Sequence, residues 1–420
     1  MVRNIGDKIR YHRLKLKMTQ SELSEGIISV SYLSKIEKGS ERPSNEIVNL
    51  LSKRLDIDLS VDNNEKYLPI LEKWFTCLLI GDLEQSIKLY DELDRIINTL
   101  TNTHLINLFE IHKISYFLLC RKDKEAEIHY HNLKSNLRNL NGKECYYWMK
   151  FSGDYFYSKL SYNKALDFYQ QSEKNLYHDL FNKTEEENDL YYLISLTASK
   201  LRKNYLSIYY GEKALGYYRD NYELKKSAKN HILLGISYRR IGEWDKAKEQ
   251  YDFALYISET IKNDKIYSLC MQNLGMLYSM IDQNDKAIEY YLKSYELKSN
   301  ENKETKIVTI SSLMKQYYKM GNLEEAKIWL NQGLKITKDM NSSDSVYVLE
   351  FKVYLQLIYG IESSFEELIV NNILDFLDDK ELYYEKADYL RMLGDYFYKQ
   401  KKYKIAADYY VSANETLTKI

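Results

Sequence analysis

A spacing of about forty residues governs most of this 420-residue chain. The segments GISYRRIGEWDKAKEQYDFAL (235–255) and GMLYSMIDQNDKAIEYYLKSY (275–295) both read G-x-x-Y, a break four residues later, then D-K-A, then Y. The segments 153–173, 314–334 and 394–414 follow the same scheme. Taking the small residue behind the first helix's core leucine as reference, the series runs Trp74, Ile114, Gly153, Ser195, Gly235, Gly275, Met314, Tyr354 and Gly394. The intervals are 40, 39, 42, 40, 40, 39, 40 and 40. Twelve residues beyond each stand Ser86, Ala126, Ala165, Ser207, Ala247, Ala287, Ala326, Glu366 and Ala406, eight of them small, as close helix–helix packing requires. Each unit then reads as a helical hairpin that covers its apolar face only by stacking on a neighbour. The unit around Tyr354 departs most from the scheme.

The pattern G-x-x-Y, then Ala, then Tyr or Phe, then Ala resembles the tetratricopeptide repeat, here lengthened from its usual size of about 34 residues. The resemblance implies about nine antiparallel helix pairs in a right-handed superhelix over 68–420, with a concave inner face. Composition agrees with helix throughout: only Pro43 and Pro69 occur among the prolines, with 15 glycines. The 42 tyrosines are assigned to repeat packing positions and give no cofactor signal.

Residues 1–60 differ. They hold eleven Lys and Arg against eight acids, a net +3 within a chain whose total is −1, and six of those cations fall in the first twenty residues. Any nucleic-acid surface is therefore local. Ile5, Ile9 and Leu14 or Leu16 form one apolar stripe. T-Q-S-E at 19–22 is a capping box opening a second helix. Gly26 ends it, Ser29 caps a third helix that stops at Gly39, and Pro43-Ser44 starts a fourth, Asn45 to Leu55. A polar stretch, 61–67, reads as a linker.

The run MTQSELSEGIISVSYLSKIEKGSERPS (18–44) resembles the lambda-repressor/Cro-like helix-turn-helix, so the whole chain is expected to be all-α: this head, then the repeats. With Leu33 and Ile36 packed inward, Val30, Ser31, Ser34 and Lys35 face out, suited to base edges. Matching to the family places Gln20, Val30, Ser31 and Lys35 at DNA-reading positions. Ser29 caps the recognition helix, and Lys38 and Arg42 add phosphate charge. One such unit covers one half-site, which implies a dimer on double-stranded operator DNA.

In the repeats, the positions three and two before the reference residue and one, four and five after it are expected to point inward. They include Ile236, Arg239 and Arg240, then Gln272, Asn273 and Met276, then Lys315 and Lys319. This describes an apolar, amide-bearing groove flanked by four cations. Asn273 can pair with both polar groups of an extended peptide backbone. Arg239 or Lys315 can hold a carboxylate. At the other end, Ile405, Tyr409, Tyr410, Ala413 and Leu417 form an apolar stripe with no following repeat, expected to make a subunit contact.

Head and repeats together resemble the peptide-pheromone regulators of Gram-positive bacteria, the Rap, Rgg, NprR, PlcR and PrgX group, and in repeat count and length are most similar to the NprR-type members. The resemblance implies a transcriptional regulator whose groove binds a short signalling oligopeptide. Binding would change oligomeric state, as homodimer or higher oligomer, or the placement of the heads. It also implies an alternative: a Rap-like or bifunctional protein that binds a sporulation response regulator and promotes its dephosphorylation. A repeat scaffold for protein partners is a third reading, which would leave the basic head without a purpose.

No G-x-x-x-x-G-K-[ST], H-E-x-x-H or G-x-S-x-G motif occurs, so no enzyme, catalytic residue, cofactor or metal is expected. His129 and His131 point apart on a helix. Cys77, Cys120, Cys145 and Cys270 are widely separated, as free thiols in a reducing cytosol would be. No apolar signal core or membrane span is found, and a cytoplasmic location is expected.

Overall fold

The structure is a computed structural model describing residues 5–56, 64–97, 100, 102–136, 140, 142–176, 180–298, 303–338 and 345–418. All regular structure among these residues is helical. The head consists of α1 (Ile5–Lys15), α2 (Gln20–Ser24), α3 (Val30–Glu37) and α4 (Asn45–Leu55). The capping box forms: Glu22 N–H donates to Thr19 Oγ1 at 3.1 Å and the Glu22 carboxylate accepts from Thr19 N–H at 2.6 Å. Ser29 and Ser44 cap α3 and α4. Gly26 and Gly39 take φ of +67° and +70°, a turn that a side chain would strain.

Ile9, Leu23, Leu33, Ile36, Val48, Leu51 and Leu55 form the head's core. The expected stripe is corrected at its end. Leu14 and Leu16 are 36% and 51% exposed, while His12 and Arg13 turn inward. The helical period carries the inner face from Ile9 to residues three and four further on, and Leu16 lies past the end of α1.

Nine helix pairs follow among the described residues. They are α5 (Asn64–Ile80) with α6 (Leu83–Ile96), α7 (Thr103–Leu119) with α8 (Asp123–Asn136), and α9 (Gly142–Ser158) with α10 (Tyr162–Lys174). Then come α11 (Lys183–Lys200) with α12 (Asn204–Asp220), α13 (Leu224–Arg240) with α14 (Trp244–Thr260), and α15 (Asp264–Met280) with α16 (Asn284–Leu297). α17 (Lys303–Lys319) pairs with α18 (Leu323–Thr337). α19 (Val346–Tyr359) faces a broken partner: α20 (Phe365–Leu368), a π-helical stretch Ile369–Leu374, and α21 (Asp375–Asp379). α22 (Tyr383–Lys399) and α23 (Tyr403–Leu417) end the array. α5 starts at Asn64, so the second half of the expected linker is helical; residues 61–63 lie outside the described residues.

The forty-residue period has a packing cause. Ser86, Ala126, Ala165, Ser207, Ala247, Ala287 and Ala326 are 0% exposed and Ala406 1%, whereas Glu366, the exception, is half-buried in the broken pair. Across four of the hairpins a glycine faces a tyrosine. A Cβ built on Gly153, Gly235, Gly275 or Gly394 would sit 2.4–2.5 Å from the ring of Tyr169, Tyr251, Tyr291 or Tyr410 respectively. In the α11–α12 pair the small partner sits on the other side: Gly211 lies against Ser195. Part of the tyrosine content thus fills the volume that missing side chains vacate.

The chain divides into two compact units, Met1–Lys159 with Asp167–Glu187, and Leu160–Leu166 with Asn188–Ile420. The head belongs to the first, where Tyr11 Oη on α1 donates to Glu110 Oε1 on α7 at 3.0 Å. In the second, the expected terminal stripe is largely covered. Ala413 is buried, Tyr409 and Leu417 pack beside Leu393 and Ile373, and Tyr410 lies against Gly394. Ile405 and Val411 remain 40% and 55% exposed. The preceding helices cover the face that the sequence, read one repeat at a time, leaves open.

Candidate functional site

In the head, α3 presents one side outward. Val30 is 45% exposed, Ser31, Lys35, Lys38 and Arg42 are exposed, and Ser34 is half-buried, while Leu33 and Ile36 on the opposite side are 0% exposed. Ser29 Oγ accepts from Tyr32 N–H at 3.2 Å and lies 3.1 Å from Ser31 Oγ, so the first turn carries two hydroxyls side by side. Tyr32 Oη donates to the Arg42 carbonyl at 3.4 Å, tying the loop after α3 back onto the helix.

What aims α3 is a buried charge cluster. Arg13 Nε and Nη2 donate to the two oxygens of Glu37 at 2.6 and 2.9 Å, and Arg13 Nη1 reaches the Met18 carbonyl at 2.9 Å. Gln20 Nε2 donates to the same Glu37 carboxylate at 2.7 Å. Gln20, which the family match places at a DNA-reading position, has its amide N–H engaged inside the head. Sequence reading missed Arg13 and Glu37, whose charges read as surface ones until α1 and α3 are packed together.

The second region lies on α13, α15 and α17. Ile232, Leu233, Gln272, Asn273 and Ser311, at the two earlier expected positions, are buried between helices and do not form the open edge of a groove. First helices are enclosed by neighbours on both sides, and only the edge carrying the later positions opens. There Met276 and Met280 are 36% and 50% exposed, and Ile236 is half-buried against the core. Gln272 Nε2 donates to Ser312 Oγ at 2.8 Å, leaving its buried carbonyl oxygen without a partner. Asn273 Nδ2 donates to the Leu269 carbonyl at 2.9 Å, so of its two polar groups the carbonyl is the one left to accept.

The expected four cations separate into two classes. Lys315 pairs with the buried Glu350, and Lys319 donates to Asp282 Oδ1 at 2.7 Å and to the Ser279 carbonyl at 2.9 Å. Both are neutralised within the protein. Arg239 and Arg240 are not. Arg239 is 5% exposed, with Nε 3.4 Å from Tyr251 Oη and Nη1 2.9 Å from Met280 Sδ. Arg240 Nη1 donates to Ser199 Oγ at 3.0 Å and to the Ser199 carbonyl. Burial, with Arg202 and Arg239 beside it, pulls the Arg240 guanidinium down to about 9.

Among the described residues, no group of three or more His, Cys, Asp or Glu side chains is arranged to hold a metal ion, and no helix is long and apolar enough to cross a membrane.

Residues 9–61 match the helix-turn-helix family and residues 226–300 the tetratricopeptide repeat family. The transcriptional activator NprA of Geobacillus stearothermophilus is 33% identical over 394 residues, 92% of this chain and 97% of that protein. Response regulator aspartate phosphatase A of Bacillus subtilis is 26% identical over 254 residues, 60% of this chain and 65% of that one. Among solved structures, NprR in complex with its cognate peptide NprX superposes with a TM-score of 0.68 at 18% identity, covering 83% of this chain and 98% of that one, a likeness of fold.

Proposed function

The chain belongs to the family of the transcriptional activator NprA, and from that premise we propose that it is a peptide-responsive transcriptional regulator and not itself an enzyme. Residues 1–60 act as the DNA-reading head, 61–67 as the connection and 68–420 as the sensing and oligomerising arm. One observation carries the reading. A recognition helix with an exposed hydroxyl- and lysine-bearing side shares a chain with a groove whose edge is adaptable and apolar at Met276 and Met280, and behind that edge the buried side chains of Gln272 and Asn273 keep amide oxygens without donors. The solved complex of NprR with its peptide supports the same use of the groove.

In this mechanism Val30, Ser31, Ser34 and Lys35 meet base edges, and Lys38 and Arg42 meet phosphates. Gln20 and Ser29 act mainly by holding α3, through Glu37 and the N-cap. An extended peptide lies along α13, α15 and α17, its N–H groups offered to Asn273 and Gln272 and its apolar side chains to Ile236 and Met276. Lys315 and Lys319 reach it by exchanging Glu350 and Asp282 for a peptide acid. If one arrangement of the repeats binds peptide better, peptide shifts the population toward it. The heads of a dimer then gain or lose half-site spacing.

The test uses the peptide encoded by a short reading frame beside the gene. It is titrated into the full-length protein bound to its own upstream DNA in a gel-retardation assay. Asn273→Ala is expected to keep basal DNA binding and lose the peptide response. A protein that neither retards that DNA at low salt nor responds to the peptide overturns the reading. The similarity to an aspartate phosphatase of response regulators favours a second activity, binding a sporulation response regulator and promoting its dephosphorylation. Faster loss of acyl phosphate from such a regulator in vitro, suppressed by peptide, is its expected signature.

A further inference from the structure

The turn between α11 and α12 reads Lys200-Leu201-Arg202-Lys203, and α13 ends in Arg239-Arg240. In the second compact unit these segments meet the start of α22. Arg202 Nη2 donates to Glu385 Oε1 at 2.9 Å, and its guanidinium carbon lies 4.0 Å from the centre of the Tyr384 ring. Asn163 Nδ2 donates to Glu381 Oε2 at 2.9 Å on the same side. Asp388, further along α22, is occupied by Arg391 at 3.3 Å. A partly open cavity of about 60 Å³ lies here, with Lys200, Arg202, Lys203, Glu381, Tyr384 and Glu385 in its wall.

The charges in this corner do not balance. Lys200, Arg202, Arg239 and Arg240 act on one another, and Glu385 is the one carboxylate that attracts both Lys200 and Arg240. The Nε atoms of Arg202 and Arg240 are buried without a hydrogen-bond partner. Two guanidinium Nε–H donors aimed into protein with nothing to accept them cost folding energy that an incoming acceptor returns, and beside them Lys200, exposed to solvent, makes no ion pair among the described residues. Elsewhere in this unit the array balances such charges internally, as Lys315 with Glu350 and Lys319 with Asp282 show. Arg239, next to Arg240 at the end of α13, reaches the groove: its Nη1 lies 2.9 Å from Met280 Sδ, and Met280 is half exposed.

We propose that Lys200, Arg202 and Arg240 form a receptor for a carboxylate of the bound peptide, with Glu385 the resident acid that the incoming group joins or displaces from Arg202. The inference rests on the peptide-sensing reading above and adds to it the chemical identity of one ligand group. The cavity holds about two waters' volume, which suits a carboxylate head. Arg202, in the cavity wall with its Nε unpartnered, supplies a planar donor that matches the carboxylate, Lys200 supplies a compact charge, and Arg240, outside the wall, adds positive potential behind them. The carboxylate belongs either to an Asp or Glu side chain or to the peptide's C-terminus, and the experiment separates the two.

Full-length protein is immobilised and offered two libraries of randomised heptapeptides, one ending in a free acid and one in an amide. Retained peptides are read by mass spectrometry. Wild type is expected either to enrich Asp or Glu at one position in both libraries or to retain the free-acid library over the amide. Lys200→Gln and Arg240→Gln are expected to lose that preference by about 10- to 100-fold, the range for hydrogen bonds to a charged group. They should keep the apolar preferences of wild type. Lys200 is solvent-accessible and makes no hydrogen bond of its own, so its substitution leaves folding intact, and melting temperature checks both variants. Peptides retained by wild type without any acid preference, or an equally strong preference in both variants, overturn this inference and leave the peptide-sensing reading standing. If wild type retains no peptide from either library, that reading falls and this one with it.

Discussion

Glu37→Gln is the sharpest probe of how the head holds its recognition helix. The change keeps the shape of the side chain and removes its charge. Arg13 then loses its counter-charge, and of the two oxygens that accept from Arg13 and Gln20 one becomes an NH2 group facing those donors. The Arg13 and Glu37 side chains are 9% and 3% exposed, so solvent does little to screen the orphaned guanidinium. Breaking a buried pair from one side costs about 3–5 kcal/mol. A head of this size has roughly 3–8 kcal/mol of stability in all. The variant is therefore expected to leave α1 to α4 close to their unfolding limit. Native-state hydrogen exchange reads this directly: protection of the α3 amides should fall by about 100- to 1000-fold, at 1.4 kcal/mol per decade. The amides of α13 to α16, in the other compact unit, serve as internal control. DNA retention should fall with α3 protection. Replacing both partners, Arg13→Met with Glu37→Met, should recover most of the loss, because no buried charge is left alone. Protection within threefold of wild type in Glu37→Gln, or a double variant as damaged as the single one, refutes the argument.

Gly235→Ala places a methyl 2.4 Å from the Tyr251 ring and should destabilise the repeat array by about 1–3 kcal/mol, read as a lower urea midpoint; an unchanged midpoint would mean that the ring yields freely. Burial lowers His12 to about 4 and His112 to about 3, so both stay neutral in the fold while the unfolded chain takes up protons below about 6.5. Stability carried by these groups is present above that pH and is lost as pH falls toward the folded values. Each should remove about 1 kcal/mol between pH 7 and 5.5 in denaturant titrations, and His112→Phe should remove its share of the slope. In the head, Lys38→Ala should weaken DNA binding equally for all sequences and reduce the salt slope by about 1. Lys35→Ala should instead relax preference at one base pair, read by competition with operator variants.

Much of the architecture was legible because repeats are a local matter written many times. The reference residues and the small residues beyond them report one hairpin geometry, and repetition makes each weak signal strong. The capping serines and threonine of the head, with Gly26 and Gly39, were equally legible, since a cap is an interaction among four or five neighbouring residues. The outward side of α3 followed from the inward positions of Leu33 and Ile36.

Charges were not legible in this way. A lysine or glutamate looks the same in sequence whether it meets water or a partner far along the chain. That is why Lys315 and Lys319 read as free groove cations, although Glu350 and Asp282 neutralise them. Gln20 likewise read as a DNA-reading side chain, although Glu37 holds its amide. The terminal stripe read as open because the broken helix at Phe365–Asp379, which covers part of it, breaks the repeat. Sequence periodicity determined the helices, their pairing and the family to which the chain belongs, because those depend on short-range packing volume. Only the tertiary structure decided which charges are spent inside the protein, as Arg202 is on Glu385, and which, at Lys200 and Arg240, find no carboxylate within ion-pair distance among the described residues, because electrostatic balance is a property of residues brought together from distant repeats.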